Sequence, residues 1–148
     1  MRNRIIQQDV ARIVEHDLPW QTFSGKTILI AGANGFLPAY LVETLLYLNE
    51  LRTPAGCRVI ALVRNASKAE VRFRHLLGRP DFSILVQDVC SPIVMNDKVD
   101  FIIHAASQAS PKYYGKGPRW NTRGQHPGHS QSAFSGKELR RPGVFVFQ

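Results

Sequence analysis

Cysteine is scarce in this chain, with Cys57 and Cys90 the only two among 148 residues. Neither their number nor their spacing makes a disulfide framework or a metal site, so a reduced, cytoplasmic protein is expected. Long apolar runs are missing too. None approaches the roughly 18 residues that cross a bilayer, and no spanning segment is expected. The N-terminus has Arg2 and Arg4 but no apolar stretch of the kind a secretory leader needs. Acids are few, eleven against nineteen Lys and Arg, for a net charge of +8. That balance raises a small basic nucleic-acid-associated protein as an alternative. The basic residues are scattered singly and no nucleic-acid motif accompanies them, so no nucleic-acid partner is expected. No internal repeat is visible, and nothing in the sequence fixes an oligomeric state.

What is present is one domain's worth of chain, 44% hydrophobic. Ile5, Ile6, Val10, Ile13, Val14 and Leu18 recur at helical spacing, which predicts an amphipathic helix over 3–18, stopped by Pro19. Its polar face mixes acids with bases, which suits water better than a membrane surface. Lys26 to Ala31 is a short apolar run after Gly25, as expected of a strand buried on both faces. Helical spacing follows over 37–51. A strand is expected over 58–63, a helix over 67–77, and further strands over 82–86 and 99–104. Strands alternating with helices imply an α/β protein with right-handed crossovers. The expected fold is a Rossmann-like partial parallel sheet of about four strands, with flanking helices and the N-terminal helix ahead of it.

The chemistry lies between the first strand and the first crossover helix, in Gly32-Ala33-Asn34-Gly35-Phe36-Leu37-Pro38. A tight strand-to-helix turn needs freedom in φ at Gly32. The absent side chain at Gly35 lets a pyrophosphate approach the backbone, and the helix start offers free N–H groups and partial positive charge. Strand, turn and helix stand in the order that such a site requires.

The stretch Thr27 to Phe36 resembles the fingerprint of the extended short-chain dehydrogenase/reductase family, which includes NAD-dependent nucleotide-sugar epimerases and dehydratases. The family's turn is G-x-x-G-x-x-G. This chain matches it at Gly32 and Gly35 and has Pro38 at the third glycine. Proline is acceptable in a first helical turn, where its N–H would lie unpaired anyway. The resemblance spans roughly residues 3–116. It implies cofactor contacts from Gly32, Asn34, Gly35, Phe36 and Leu37. It adds Asp88 and Val89 after the third strand, beside the adenine, and Ala105, Ala106 and Ser107 after the fourth, under the ribose and nicotinamide. His104, just before them, reads as a structural strand-end histidine. Gln108 to Gly115 looks like the subgroup related to dTDP-glucose dehydratases and UDP-glucuronate decarboxylases, which implies a nucleotide sugar as the intact relative's substrate. NAD is the cofactor the resemblance favours. The second strand nevertheless ends in Val63-Arg64-Asn65 with no acid for the ribose hydroxyls, and Arg64 suits a 2′-phosphate, which keeps NADP open.

The family's hydride chemistry uses a Tyr-x-x-x-Lys pair, in which the lysine lowers the tyrosine pKa. Here Tyr40, Tyr47, Tyr113 and Tyr114 are followed four residues on by Thr44, Leu51, Gly117 and Pro118. No catalytic residue is expected in this chain. Residues 118–148 have no Ile and one Leu. Read as codons shifted by one base, Gly117 to Thr122 can become Asp-Pro-Val-Gly-Thr, and the stretch through Phe134 resembles the family's next helix. Val144 to Phe147 shifts to another apolar strand. The expectation is an N-terminal extension over 1–24, the N-terminal half of an NAD(P)-binding domain over 25–116, and an out-of-frame, poorly ordered tail over 117–148. The fourth strand would then be an exposed edge, with which Val144 to Phe147 could pair. A dinucleotide-binding module without catalysis is the other reading of the same features.

Overall fold

A computed structural model describes residues 3–51, 56–93, 95, 97–106 and the backbone of 143–146. Five strands form one sheet, all paired in parallel: β1 (Thr27–Ala31), β2 (Arg58–Val63), β3 (Phe82–Val86), β4 (Phe101–His104) and β5 (Gly143–Val146), in the order β3-β2-β1-β4-β5. Helix α1 (Arg4–Glu15) precedes the sheet, α2 (Phe36–Glu50) links β1 to β2, and α3 (Ala66–Arg72) follows β2.

Alternation along the central strands divides the core into two layers. Ile28, Ile30, Val59, Ala61 and Val63 face one side, where Val42, Leu45 and Leu46 of α2 pack on them. Leu29, Ala31, Ile60, Leu62 and Ile102 face the other side, with Ile93 and Val99. From Ile28 to Ala31 no residue of β1 retains any solvent exposure. This explains the unbroken apolar run, because a strand covered on both faces has no polar positions. Each fully buried Ile or Leu there contributes about 1.5–3 kcal/mol.

Three elements depart from the expected bounds. Helix α1 stops at Glu15, three residues early, and the His16 carbonyl accepts from Trp20 Nε1 at 3.1 Å. Val10 is its one fully buried side chain, while Ile5 is 65% exposed. The helix expected over 67–77 breaks after Arg72 into a single 3-10 turn, Arg74–Leu76. The break places Phe73 wholly inside the core, its ring 5.5 Å from that of Phe82. Strand β4 begins at Phe101, and Val99 and Asp100 are its lead-in. Asp100 N–H donates to the Thr27 carbonyl at 2.9 Å, and an Asp100 carboxylate oxygen accepts from Thr27 N at 3.0 Å.

Strand β4 is not left as an exposed edge, and the pairing expected of Val144 to Phe147 with it is found. Its residues Phe101 to His104 pair in parallel with Gly143 to Val146, one residue earlier than the stretch expected to be strand-like. Ile102 and Ile103 are buried. Apart from those four backbone positions, the tail over 117–148 and the reading-frame expectation that rests on it lie outside the described residues. Among the described residues no helix is long and apolar enough to cross a membrane.

Candidate dinucleotide site

In a parallel sheet all strands end on the same side, so the segments leaving β1, β2, β3 and β4 gather along one edge. The glycine turn is built from the end of β1. Its first residues are held by β2, the Leu62 carbonyl accepting from Gly32 N at 3.0 Å and from Ala33 N at 3.3 Å. Gly32 lies at φ +75°, the left-handed region that favours glycine. A Cβ there would stand 2.8 Å from the Ala105 carbonyl oxygen and 2.8 Å from the Ala106 Cα. Turn and β4 exit therefore touch backbone to backbone. Ala105 N–H, donating to the Ala31 carbonyl at 3.1 Å, carries the ladder one residue beyond β4.

Gly35 N–H donates to the Gly32 carbonyl at 2.8 Å, and Gly35 is the N-cap of α2, with no side chain to cap it. Phe36 and Leu37 form the first turn, where a helix has no carbonyls to offer its N–H groups. Their side chains are both 70% exposed. Pro38 supplies no N–H. It is buried, and its Cγ would lie 3.0 Å from a Cβ on Gly35. The proline at the third-glycine position thus crowds any side chain at the second.

The end of β2 joins the same cluster. Asn34 Nδ2 donates to the Asn65 carbonyl at 3.1 Å, while Asn34 Oδ1 is shut off from water with no hydrogen-bond partner. Asn65 also caps α3, its side-chain oxygen accepting from Lys68 N at 2.8 Å. Arg64 is exposed beside it and makes no ion pair among the described residues. Asn65 was not among the expected site residues; the signal was available as an N-cap type directly before a helix.

At the end of β3, Asp88 is exposed, but one carboxylate oxygen accepts from Cys90 N at 2.9 Å and its carbonyl from Ser91 N at 3.0 Å, so it shapes a turn. Val89 packs against the second core layer. His104 is buried, and the loss of solvent lowers its pKa below the usual 6.5. Ser107 and Gln108 to Gly115 lie outside the described residues. No group of His, Cys, Asp and Glu among the described residues could hold a metal ion.

A recess of about 410 Å³, lined by Val14, Trp20, Phe23, Leu48, Asn49 and Cys57 among others, opens at the opposite edge, where the strands begin. It shares no residue with the glycine turn. A dinucleotide lies in an open crevice along strand ends, so the turn is the better candidate.

The turn fits a pyrophosphate. Gly32 is packed against backbone, Gly35 offers no side-chain cap, and the first-turn N–H groups of a fifteen-residue helix have no helical carbonyl to bond. Arg64 and Asn65 stand at the end of β2, and Asn34 joins them from the turn.

No family model matches the chain. It is 31% identical over 91 residues to UDP-glucuronic acid decarboxylase 1 of Arabidopsis thaliana, covering 62% of this chain and 19% of that protein. It is 32% identical over 95 residues to UDP-glucuronic acid decarboxylase 5 of the same plant, covering 64% of this chain and 26% of that one. The chain thus spans about a fifth to a quarter of the curated relatives it matches. Among solved structures, Pen from Bacillus thuringiensis superposes with a TM-score of 0.60 at 13% identity, over 88% of this chain and 38% of that one, a likeness of fold. Over the matched segment, this chain is similar to UDP-glucuronic acid decarboxylases, in agreement with the extended short-chain dehydrogenase/reductase resemblance of its glycine turn.

Proposed function

We propose that residues 25–116 bind a nicotinamide dinucleotide as the N-terminal half of its binding domain, behind an N-terminal extension over 1–24, and that the chain itself turns nothing over. The observation that carries this reading is the contact of Gly32 with the backbone of Ala105 and Ala106, which closes the turn against the β4 exit. When bound, the cofactor would supply hydride transfer. The residues of this chain would hold it: Phe36 and Leu37 through backbone N–H groups, Ala105 and Ala106 by leaving room, and Asp88 and Val89 beside the adenine. A longer protein containing this segment would act on a nucleotide sugar, as the names of the curated relatives suggest. The missing Tyr-x-x-x-Lys pair supports binding without catalysis here.

One observation favours NADP over NAD. The end of β2 presents exposed Arg64 and no carboxylate, and a guanidinium suits a 2′-phosphate better than a ribose hydroxyl. Calorimetry with NAD and NADP tests both points. Wild type should bind NADP more tightly, Arg64→Gln should level the two, and Gly35→Val should bind neither. Equal NADP affinity in wild type and Gly35→Val overturns the reading. DNA binding with steep salt dependence and no dinucleotide affinity would replace it with a nucleic-acid role.

A further inference from the structure

In dinucleotide sites on this kind of sheet, a carboxylate at the end of the second strand accepts a hydrogen bond from the ribose. Here that place reads Val63-Arg-Asn-Ala-Ser-Lys68, with no carboxylate. Another acceptor stands there instead. Asn34 reaches from the glycine turn to the end of β2, where Nδ2 donates to the Asn65 carbonyl at 3.1 Å. This bond fixes the orientation of the amide, since the flipped one would set two acceptors face to face. Oδ1 is left without a donor and out of contact with water. A buried acceptor with no donor is unfavourable, so a donor entering between the two turns would be held there. Phosphate oxygens cannot fill that role, because they accept. A ribose hydroxyl can.

We infer that Asn34 Oδ1 accepts the hydrogen bond of the adenosine 3′-hydroxyl, replacing the missing carboxylate as the residue that recognises the ribose. The inference rests on the dinucleotide reading above and deepens it. The 3′-hydroxyl is free in both NAD and NADP. A neutral amide also adds no negative charge beside Arg64, so it serves the ribose without repelling a 2′-phosphate, as a carboxylate would. The bridge to Asn65 holds the two turns at one separation.

The test is calorimetry on the full chain with NADP and with its analogue lacking the adenosine 3′-hydroxyl. Wild type should bind NADP about five-fold more tightly than the analogue, the value of one neutral hydrogen bond. In Asn34→Ala the ratio should fall to about one. Asn34→Asp keeps an acceptor and nearly the same shape. It should retain the preference for the 3′-hydroxyl while binding both ligands more weakly, because it gives up the donor to the Asn65 carbonyl and adds a negative charge to the turn. A merely structural role would weaken both ligands alike in every variant. Equal affinities in wild type, or an unchanged ratio in Asn34→Ala, overturns the inference while leaving the dinucleotide reading standing. Absence of NADP binding by wild type overturns both.

Discussion

Gly32 and Ala105 are held so close that a single methyl group on Gly32 would lie 2.8 Å from the Ala105 carbonyl oxygen. Nothing at the site is more sterically determined. Gly32→Ala should destabilise the fold by about 3 kcal/mol, since it sets an L residue at positive φ and drives its Cβ into backbone that cannot rotate away. The midpoint of urea unfolding is the measurement, and an unchanged midpoint would show that the turn is looser than described.

Gly35 and Pro38 should be coupled. Gly35 has an ordinary φ of −70°, so the obstacles to a side chain there are Pro38, with Cγ at 3.0 Å and Cδ at 3.3 Å from an added Cβ, and the Gly32 carbonyl oxygen at 3.2 Å. Gly35→Ala should cost about 1 kcal/mol in wild type and less in a Pro38→Ala background. A double-mutant cycle on unfolding free energies reads the coupling, and strict additivity contradicts it.

Acid should weaken the edge where the strands begin. Arg79 grips Asp81 with two bonds of 2.8 Å and reaches Glu50 at 2.6 Å, while Asn49 Nδ2 donates to Asp81 at 2.7 Å. The Arg79 hydrogen bonds, and then that from Asn49, hold the Asp81 carboxyl below its usual 3.8. Its folded pKa lies below its unfolded one, so the stabilisation is present above about pH 4 and is lost as pH falls through the folded value. Arg79→Ala should cost about 1–2 kcal/mol at pH 7 and flatten stability below pH 4. Equal acid profiles for wild type and Arg79→Ala would contradict the assignment.

His104 should act over a higher range. Burial lowers its pKa from 6.5, so the folded protein prefers it neutral while the unfolded chain binds a proton more readily. Stability should therefore begin to fall as pH drops below about 6.5. His104→Gln should lack this component in unfolding followed from pH 7 to pH 5, and a profile identical to wild type would exclude it.

The two thiols should differ in reactivity. Burial pushes the Cys57 thiol up to about 11, and Cys90 is exposed. A maleimide at pH 7.5 should label Cys90 within minutes and Cys57 only in denaturant, because the thiolate is the nucleophile. Mass spectrometry of the native, labelled protein identifies the site, and prompt labelling at Cys57 would mean that its surroundings open.

The sequence by itself determined the strands, the crossover helices and the glycine turn. Each is signalled within a few residues: Ile28 to Ala31 has no polar position because both faces are covered, and Gly32 and Gly35 stand where a strand must turn into a helix. Arg64 and the missing acid were legible in the same way. The tertiary structure decided what no local signal carries. It chose Ala105 and Ala106 as the surface against which Gly32 closes. It broke the helix expected over 67–77 so that Phe73 could enter the core against Phe82. It paired β4 with Gly143 to Val146, which removed the edge that the order of elements implied, and it joined Asn34 to Asn65 across two turns. Periodicity and turn chemistry act along the chain over one or two turns of structure. Register, backbone contact between distant strands and the satisfaction of a buried amide depend on which segments become neighbours, and that is settled only when the sheet closes.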